Sequence, residues 1–581
     1  MRLPPLLLSA TFSFLLSSSI LAQTPPPAPE NLPAKVDAIF QKMDSTVSPG
    51  CALSVMKDGK IIYERGYGMA DLDHNIPITP TTVFHVASMS KQFTAASILM
   101  LAQQGKLSLD DPARKYIPEL PDFGTPVTIR QLIHHTSGLR DQWDLLDLSG
   151  WRYSRDLITN NDVLYVVSHQ KELNFPPGTK HLYSNTGYTL LGEIVKRVSG
   201  KSLRDFTTAN IFQPLGMKNT HFRDNHAEIV KNIAYGYEPA KDTFSLSVTN
   251  FDTVGATSLM TTVEDLAFWD ENFYNPRVGG PELIKQMLER GKLNNGEQLD
   301  YASGLAIGTY RGLHTVDHSG GDAGYRSDLI RFPDQHFSSA CLCNLATTNP
   351  SDLNRKVAEI YLAGEMKPAD PVHAEDSKPV TLTPAQMQAK VGSYVNVKDE
   401  DDFVRWVLKD GKLQVGNIDD DQTYDVKALS ENQFRLLLAP IDFTFLPVKP
   451  GIPAEVTIKQ EDGKIETFSA TQPFTPAAAQ LAEFAGVYSS SEIDPLYEIK
   501  VEYQHTLGGE SGHPDQLGLV LFRLKNDPDM LRPIAHDFFA ASVGKIRFTR
   551  DAKGNIDGFL LSTGRVVNLR FNRGRPAIAA K

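Results

Sequence analysis

His85-Val86-Ala87-Ser88-Met89-Ser90-Lys91-Gln92-Phe93-Thr94, running on through Ala95-Ala96-Ser97-Ile98-Leu99-Met100-Leu101 to Gln103-Gln104-Gly105, decides how this chain is read. Apolar residues recur at Met89, Phe93, Ala96 and Met100, Leu99 and Leu101 widen the stripe, and Gly105 stands where a left-handed helix stop belongs. The spacing predicts a buried helix that begins at Ser88. In the first turn of a helix, free amide N–H groups and the positive end of the dipole favour an oxygen that must become anionic. Lys91 falls one turn on, on the same face as Ser88. Burial and the helix terminus both work against an ammonium ion there, which suits Lys91 to accept the Ser88 proton.

The spacing S-x-x-K is not selective by itself, because a helix cap followed by a surface lysine gives the same letters. Ser168-His169-Gln170-Lys171 repeats it, but Ser168 lies inside a predicted helix over 162–170, a poorer place for a nucleophile. Context separates the two matches. Tyr183-Ser184-Asn185 falls on a loop just before a helix with apolar positions Tyr188, Leu191, Ile194, Val195 and Val198, where a side chain can be presented to a cleft. His318-Ser319-Gly320, with Gly321, falls among strands. Tyr394-Val395-Asn396 copies the Y-x-N pattern much later in the chain, in a β region. His134 and His135, in His134-His135-Thr136-Ser137-Gly138-Leu139, read as structural residues of a helix-ending turn. No GxSxG, HExxH or paired CxxC occurs, so a nucleophile-elbow hydrolase or a zinc peptidase has no support.

The 581 residues are too many for one core, and the net charge of −11 comes without single-sign blocks, which gives no nucleic-acid footprint. Residues 1–22 read as a secretory signal peptide and 23–29 as a Pro-rich linker, which predicts an exported, periplasmic or secreted protein with no membrane span in the mature chain. Strands are expected at 51–56 and 61–67, joined by Lys57-Asp58-Gly59-Lys60, and again at 304–310, 314–319, 325–332 and 336–345. Strands first, helices in the middle and strands last imply one antiparallel sheet built from both ends of a domain over 30–366. Cys51, Cys341 and Cys343 lie on such strands, and either a disulfide from Cys51 to one of the others or three buried thiols is compatible with the pattern.

A Pro- and charge-rich linker over 367–383 leads to two similar units, 384–473 and 474–581, each opening with Thr-Pro and a short helix. The helices lead to Val391-Gly392-Ser393-Tyr394 and Ala485-Gly486-Val487-Tyr488, and period-2 patterns follow, as expected of two small antiparallel β-barrels or sandwiches.

Taken in order, Ser88-Met89-Ser90-Lys91, His135-Thr136-Ser137-Gly138, Tyr183-Ser184-Asn185, the helix after Gly255 and His318-Ser319-Gly320 resemble the serine β-lactamase and penicillin-binding-protein superfamily, class C-like branch. A histidine-initiated third motif and two C-terminal β domains make the chain look most like the D-aminopeptidase-type hydrolases. The resemblance implies an α+β domain with a five-stranded antiparallel sheet, and a site between that sheet and a helical lobe. It implies that Ser88 forms an acyl-enzyme, and that Lys91 and Tyr183 share base and acid work, with Tyr183 lowered in pKa by neighbouring cations. It further implies an oxyanion held by the N–H groups of Ser88 and Gly321, a strand that Gly320 lets approach the substrate, and a substrate amide held by Asn185. No metal or cofactor is called for. His318, near pKa 6.5 in its ordinary state, would be mostly neutral and would leave the site less committed to anionic substrates than a lysine.

The reading that follows is an exported serine hydrolase of small amides or esters, with D-amino-acid peptides as first substrate class. A carboxylesterase, a class C-type β-lactamase and a non-catalytic penicillin-binding-like receptor are the alternatives, and the oligomeric state is open. The resemblance also makes the glycine-rich stretch from Gln504 to His513 a loop that could approach the site, or else a hairpin tip.

Overall fold

In the computed structural model, residues 31–575 are described except for 154, 369–379, 418–422, 438–440, 449–450, 452, 461–462, 473 and 504–516. The expected signal peptide, the Pro-rich segment after it, most of the 367–383 linker and the stretch from Gln504 to His513 lie outside the described residues. No helix among the described residues is long and apolar enough to cross a membrane.

The elements that position the site are α1 (Leu32–Phe40), β1 (Cys51–Lys57), β2 (Lys60–Tyr67), α2 (Ser90–Gln103), α3 (Asn185–Ser199), β3 (Ala306–Tyr310), β4 (Leu313–Asp322), β5 (Tyr325–Phe332), β6 (Phe337–Cys343) and α4 (Pro350–Tyr361). Asp58 and Gly59 take the positive φ values, 51° and 74°, that a tight turn between right-twisted strands needs. The sheet runs β3-β4-β5-β6-β1-β2, antiparallel throughout, so β6 closes on β1 with Cys51 opposite Cys343 and Lys57 opposite Phe337. It has six strands where the resemblance implies five, because Ala306–Tyr310 pairs with β4 from Asp317 to Leu313.

β1 is buried on both sides. Leu53 and Val55 pack with Val36 and Phe40 of α1 and Val357 of α4, while Ala52 and Met56 face the larger core that includes Phe93 of α2 and Trp269. This is the period-2 alternation of a strand sandwiched between two helical layers. Cys51 and Cys343 form a disulfide between β1 and β6, and Cys341 remains a buried thiol.

Beyond the catalytic-type domain lie two closed eight-stranded barrels, one from Gly392–Asn396 to Ile465–Ala470 and one from Gly486–Ser489 to Leu569–Arg573, each with strands in sequential order. Their entries match. Tyr394 donates to the Lys390 carbonyl (3.0 Å) and Tyr488 to the Phe484 carbonyl (2.7 Å), four residues back in both. The first barrel is filled by Trp406, Phe434, Phe443 and Phe445, in a cluster of its own. The second, filled by Phe539, Phe548, Phe559 and Phe571, belongs to the same apolar cluster as the helical lobe.

Candidate active site

Ser88 sits in a 3-10 turn, Ala87–Met89, that feeds α2. The α-helix itself starts two residues later than expected, at Ser90, because residues 87–89 close a tighter 3-10 turn, which the chain enters with Ala87 at φ +48°. The turn is clamped from below. The Ser90 hydroxyl donates to the Ala87 carbonyl (2.6 Å) and accepts from the Leu259 N–H (3.0 Å), and the Ser327 hydroxyl of β5 donates to the Val86 carbonyl (2.8 Å). Holding a non-glycine residue in the left-handed region costs on the order of 1 kcal/mol, which this clamp must offset.

Lys91, fully buried one turn on, donates to the Ser88 hydroxyl (3.1 Å), to Asn185 Oδ1 (2.9 Å) and to the Ala256 carbonyl (2.8 Å). Burial lowers its pKa to about 7, against the attraction of Asp322 and Asp141 and with help from Arg565. Two of the three partners are carbonyl oxygens, which can only accept. They take two N–H groups whichever form the nitrogen is in, so the third position, facing Ser88, is an N–H in the ammonium form and a lone pair in the amine. The amide of Asn185 is oriented by Asp141, whose Oδ2 accepts from both the Asn185 backbone N–H (2.6 Å) and its Nδ2 (2.9 Å). A carboxylate at the N-terminus of α3 is well placed against the dipole, and through Asn185 it fixes Lys91.

Tyr183 lies beside them, its ring 4.8 Å from Lys91 Nζ and 5.0 Å from Arg565 Cζ, and tilted against the His135 ring at 4.2 Å. The structure corrects one expectation here. Burial raises the Tyr183 phenol above its ordinary value, and the opposing pull of the Ser88 hydroxyl and Arg565 does not overcome it. His135, with φ +55°, accepts the Ser184 N–H on Nδ1 (3.1 Å), so the turn that reads as structural is the platform under Tyr183.

On β4, His318, Gly320 and Asp322 share the buried face. A Cβ on Gly320 would lie 2.4 Å from the Val86 carbonyl and 3.0 Å from the Ser88 N–H nitrogen, so this glycine lets the strand press against the nucleophile turn itself. Gly321 follows on the open face. His318 Nδ1 bonds the Ser319 carbonyl (2.6 Å) and must carry the proton there, which leaves Nε2 to accept from the Tyr301 hydroxyl (3.0 Å). Burial, and secondarily Lys91, lower its pKa to about 4, so the imidazole is neutral at pH 7.

The two repeat matches fall away. Ser168 ends the helix Asn160–Ser168 and donates to the Tyr165 carbonyl, and Asn396 donates to Asp402 inside the first barrel. Sequence reasoning missed Asp141, Tyr301, Asp322 and Arg565. Of these, Asp322 stood directly after Gly321 and Asp141 two residues after Leu139, while Tyr301 and Arg565 stood near no motif. Asp322 accepts from the hydroxyls of Tyr153 and Thr257.

With this geometry in hand, the family model described as Beta-lactamase matches residues 36–363, more than half of the chain. The chain belongs to the Beta-lactamase family. It is 32% identical over 314 residues to Protein flp of Staphylococcus aureus strain MW2, a match over 51% of this chain that spans 60% of that relative's length. It is 31% identical over 358 residues to a penicillin-binding protein of Bacillus subtilis strain 168, covering 58% of this chain and 77% of that one. The octameric penicillin-binding protein homologue from Pyrococcus abyssi shares the fold at TM-score 0.54 and 23% identity, over 76% of this chain and 100% of that chain.

Proposed function

We propose that the chain is an exported serine hydrolase that cleaves small amides or esters through an acyl-enzyme on Ser88, with D-amino-acid peptides as the first substrate class. One observation carries the reading: the buried Lys91 amine is held by two obligate acceptors so that its remaining valence points at Ser88. With its pKa lowered to about 7, the amine form that presents this lone pair is available at neutral pH. Lys91 takes the Ser88 proton as Oγ attacks the carbonyl, and the developing oxyanion is received by the N–H groups of Ser88 and Gly321. Tyr183, kept protonated by its burial, passes a proton to the leaving nitrogen or oxygen and regains one from the attacking water in deacylation, while Lys91 returns its proton to Ser88 Oγ as the acyl–oxygen bond breaks.

A fluorophosphonate or similar serine-reactive probe tests the nucleophile: wild type is labelled and Ser88→Ala is not. Labelling that survives Ser88→Ala removes the assignment of Ser88, and a wild type that takes no label returns the non-catalytic receptor. A panel of L- and D-aminoacyl anilides, short esters and nitrocefin then sets the substrate class. Rapid turnover of cephalosporins would restore the β-lactamase alternative.

A further inference from the structure

Among the described residues, the second barrel brings Arg565 to the site. Between its strands Ile556–Ser562 and Leu569–Arg573, the connection docks on the loop and helix that follow His135-Thr136-Ser137-Gly138. The Arg565 carbonyl accepts from the Asp141 N–H (3.2 Å) and from Asn174 Nδ2 (2.9 Å), the Arg565 N–H donates to Asp144 Oδ2 (3.0 Å), and the Val567 N–H donates to Asn174 Oδ1 (2.8 Å). The backbone is thus fixed against the same Asp141 that orients Asn185. The side chain is treated differently. Its guanidinium lies half-buried over Tyr183, and among the described residues none of its N–H groups has an acceptor and no carboxylate comes within ion-pair distance.

A guanidinium held in a cleft with its donor fork unfilled is suited to a planar anion, since Arg and carboxylate pair by two parallel N–H···O bonds. The two sheet residues nearest the site are partly committed elsewhere. His318 is neutral with both ring nitrogens engaged, and Arg326 on β5 donates Nη1 to the Ala323 and Tyr325 carbonyls. We propose that Arg565 is the residue that anchors a carboxylate carried by the substrate, on the Tyr183 side of Ser88, so that the second barrel sets the specificity of the site. This rests on the acyl-transfer reading above and names its substrate class: short peptides or amino-acid derivatives with a free carboxylate near the scissile carbonyl. It also reverses the expectation drawn from His318 alone.

The test separates binding from turnover by using Ser88→Ala protein. N-acetyl-D-alanyl-D-alanine and its C-terminal amide are titrated by calorimetry. The acid binds about tenfold more tightly than the amide, the preference is lost in Ser88→Ala/Arg565→Ala, and Arg565→Lys keeps part of it. Equal affinities, no binding of either peptide, or a preference that survives Arg565→Ala overturns the inference. Arg565→Gln serves as a second variant should Arg565→Ala lower the melting temperature. If the acid preference holds but wild-type protein hydrolyses no member of the panel, the hydrolase reading fails and the anion site stands.

Discussion

The two barrels share strand count, strand order, an entry helix and a tyrosine that closes on it, yet they differ in what they touch. The second is welded to the helical lobe: Arg140 and Glu492, both buried, form an ion pair across the boundary, Tyr497 donates to the Leu148 carbonyl (2.8 Å) and Arg523 to Asp147 (2.9 Å). The first meets the second through Phe403 stacked on Phe538 (5.0 Å) and through Arg547, which donates to the Glu400 carbonyl. The two copies share an architecture, and among the described residues it is the second that brings a side chain, Arg565, over Tyr183. Fold and role are separable even within one chain.

The largest effect is expected at the weld. Glu492→Ala leaves Arg140 charged and buried without its partner, at a cost of about 3–5 kcal/mol, and loosens the segment that carries Arg565. Thermal unfolding should show the loss and ester turnover should fall with it. Trp406→Ala removes the fully buried centre of the first barrel, also at about 3–5 kcal/mol, but should spare turnover at temperatures where the rest stays folded. Equal losses of turnover in the two variants would erase the contrast.

A subtler separation comes from pH. The lowered pKa of Lys91 means that kcat/KM rises with pH through about 7, as the amine loses its proton. Arg565 helps hold that value down, so Arg565→Ala should move the inflection to higher pH, whereas first-barrel variants leave it in place. The sign for stability agrees: an unfolded lysine keeps its proton until about 10.5 while the folded one loses it near 7, so the contribution of Lys91 to stability increases with pH between these values. Lys91→Met should flatten that slope in denaturant titrations. The smallest effect belongs to Tyr165→Phe, which deletes an exposed hydrogen bond to Asp494 at the same boundary and should cost no more than about 0.5 kcal/mol by urea unfolding.

Short-range chemistry was readable from the residues. Ser88, Lys91 and the turn at Asp58-Gly59 announce themselves because helix spacing and turn stereochemistry are local, and the alternation of β1 and β6 followed from period 2. What could not be read depends on distances that only packing sets. The rise of the Tyr183 pKa is a burial effect, and the sequence shows the neighbouring cations but not how much water is excluded. Tyr301 meets His318 with no pattern to flag it, and Arg565 comes from another domain. The sixth strand is legible as the run Gly304 to Tyr310, although the family pattern implies five.

The sheet that supports Ser88 joins two strands, β1 and β6, from opposite ends of the domain. During synthesis β1 leaves the ribosome with one neighbour, β2, and waits for nearly three hundred further residues before β6 can cover its other edge. A chain stopped short of residue 337 therefore exposes a bare apolar strand, and its survival until then falls to whatever shields nascent protein from sticking to itself.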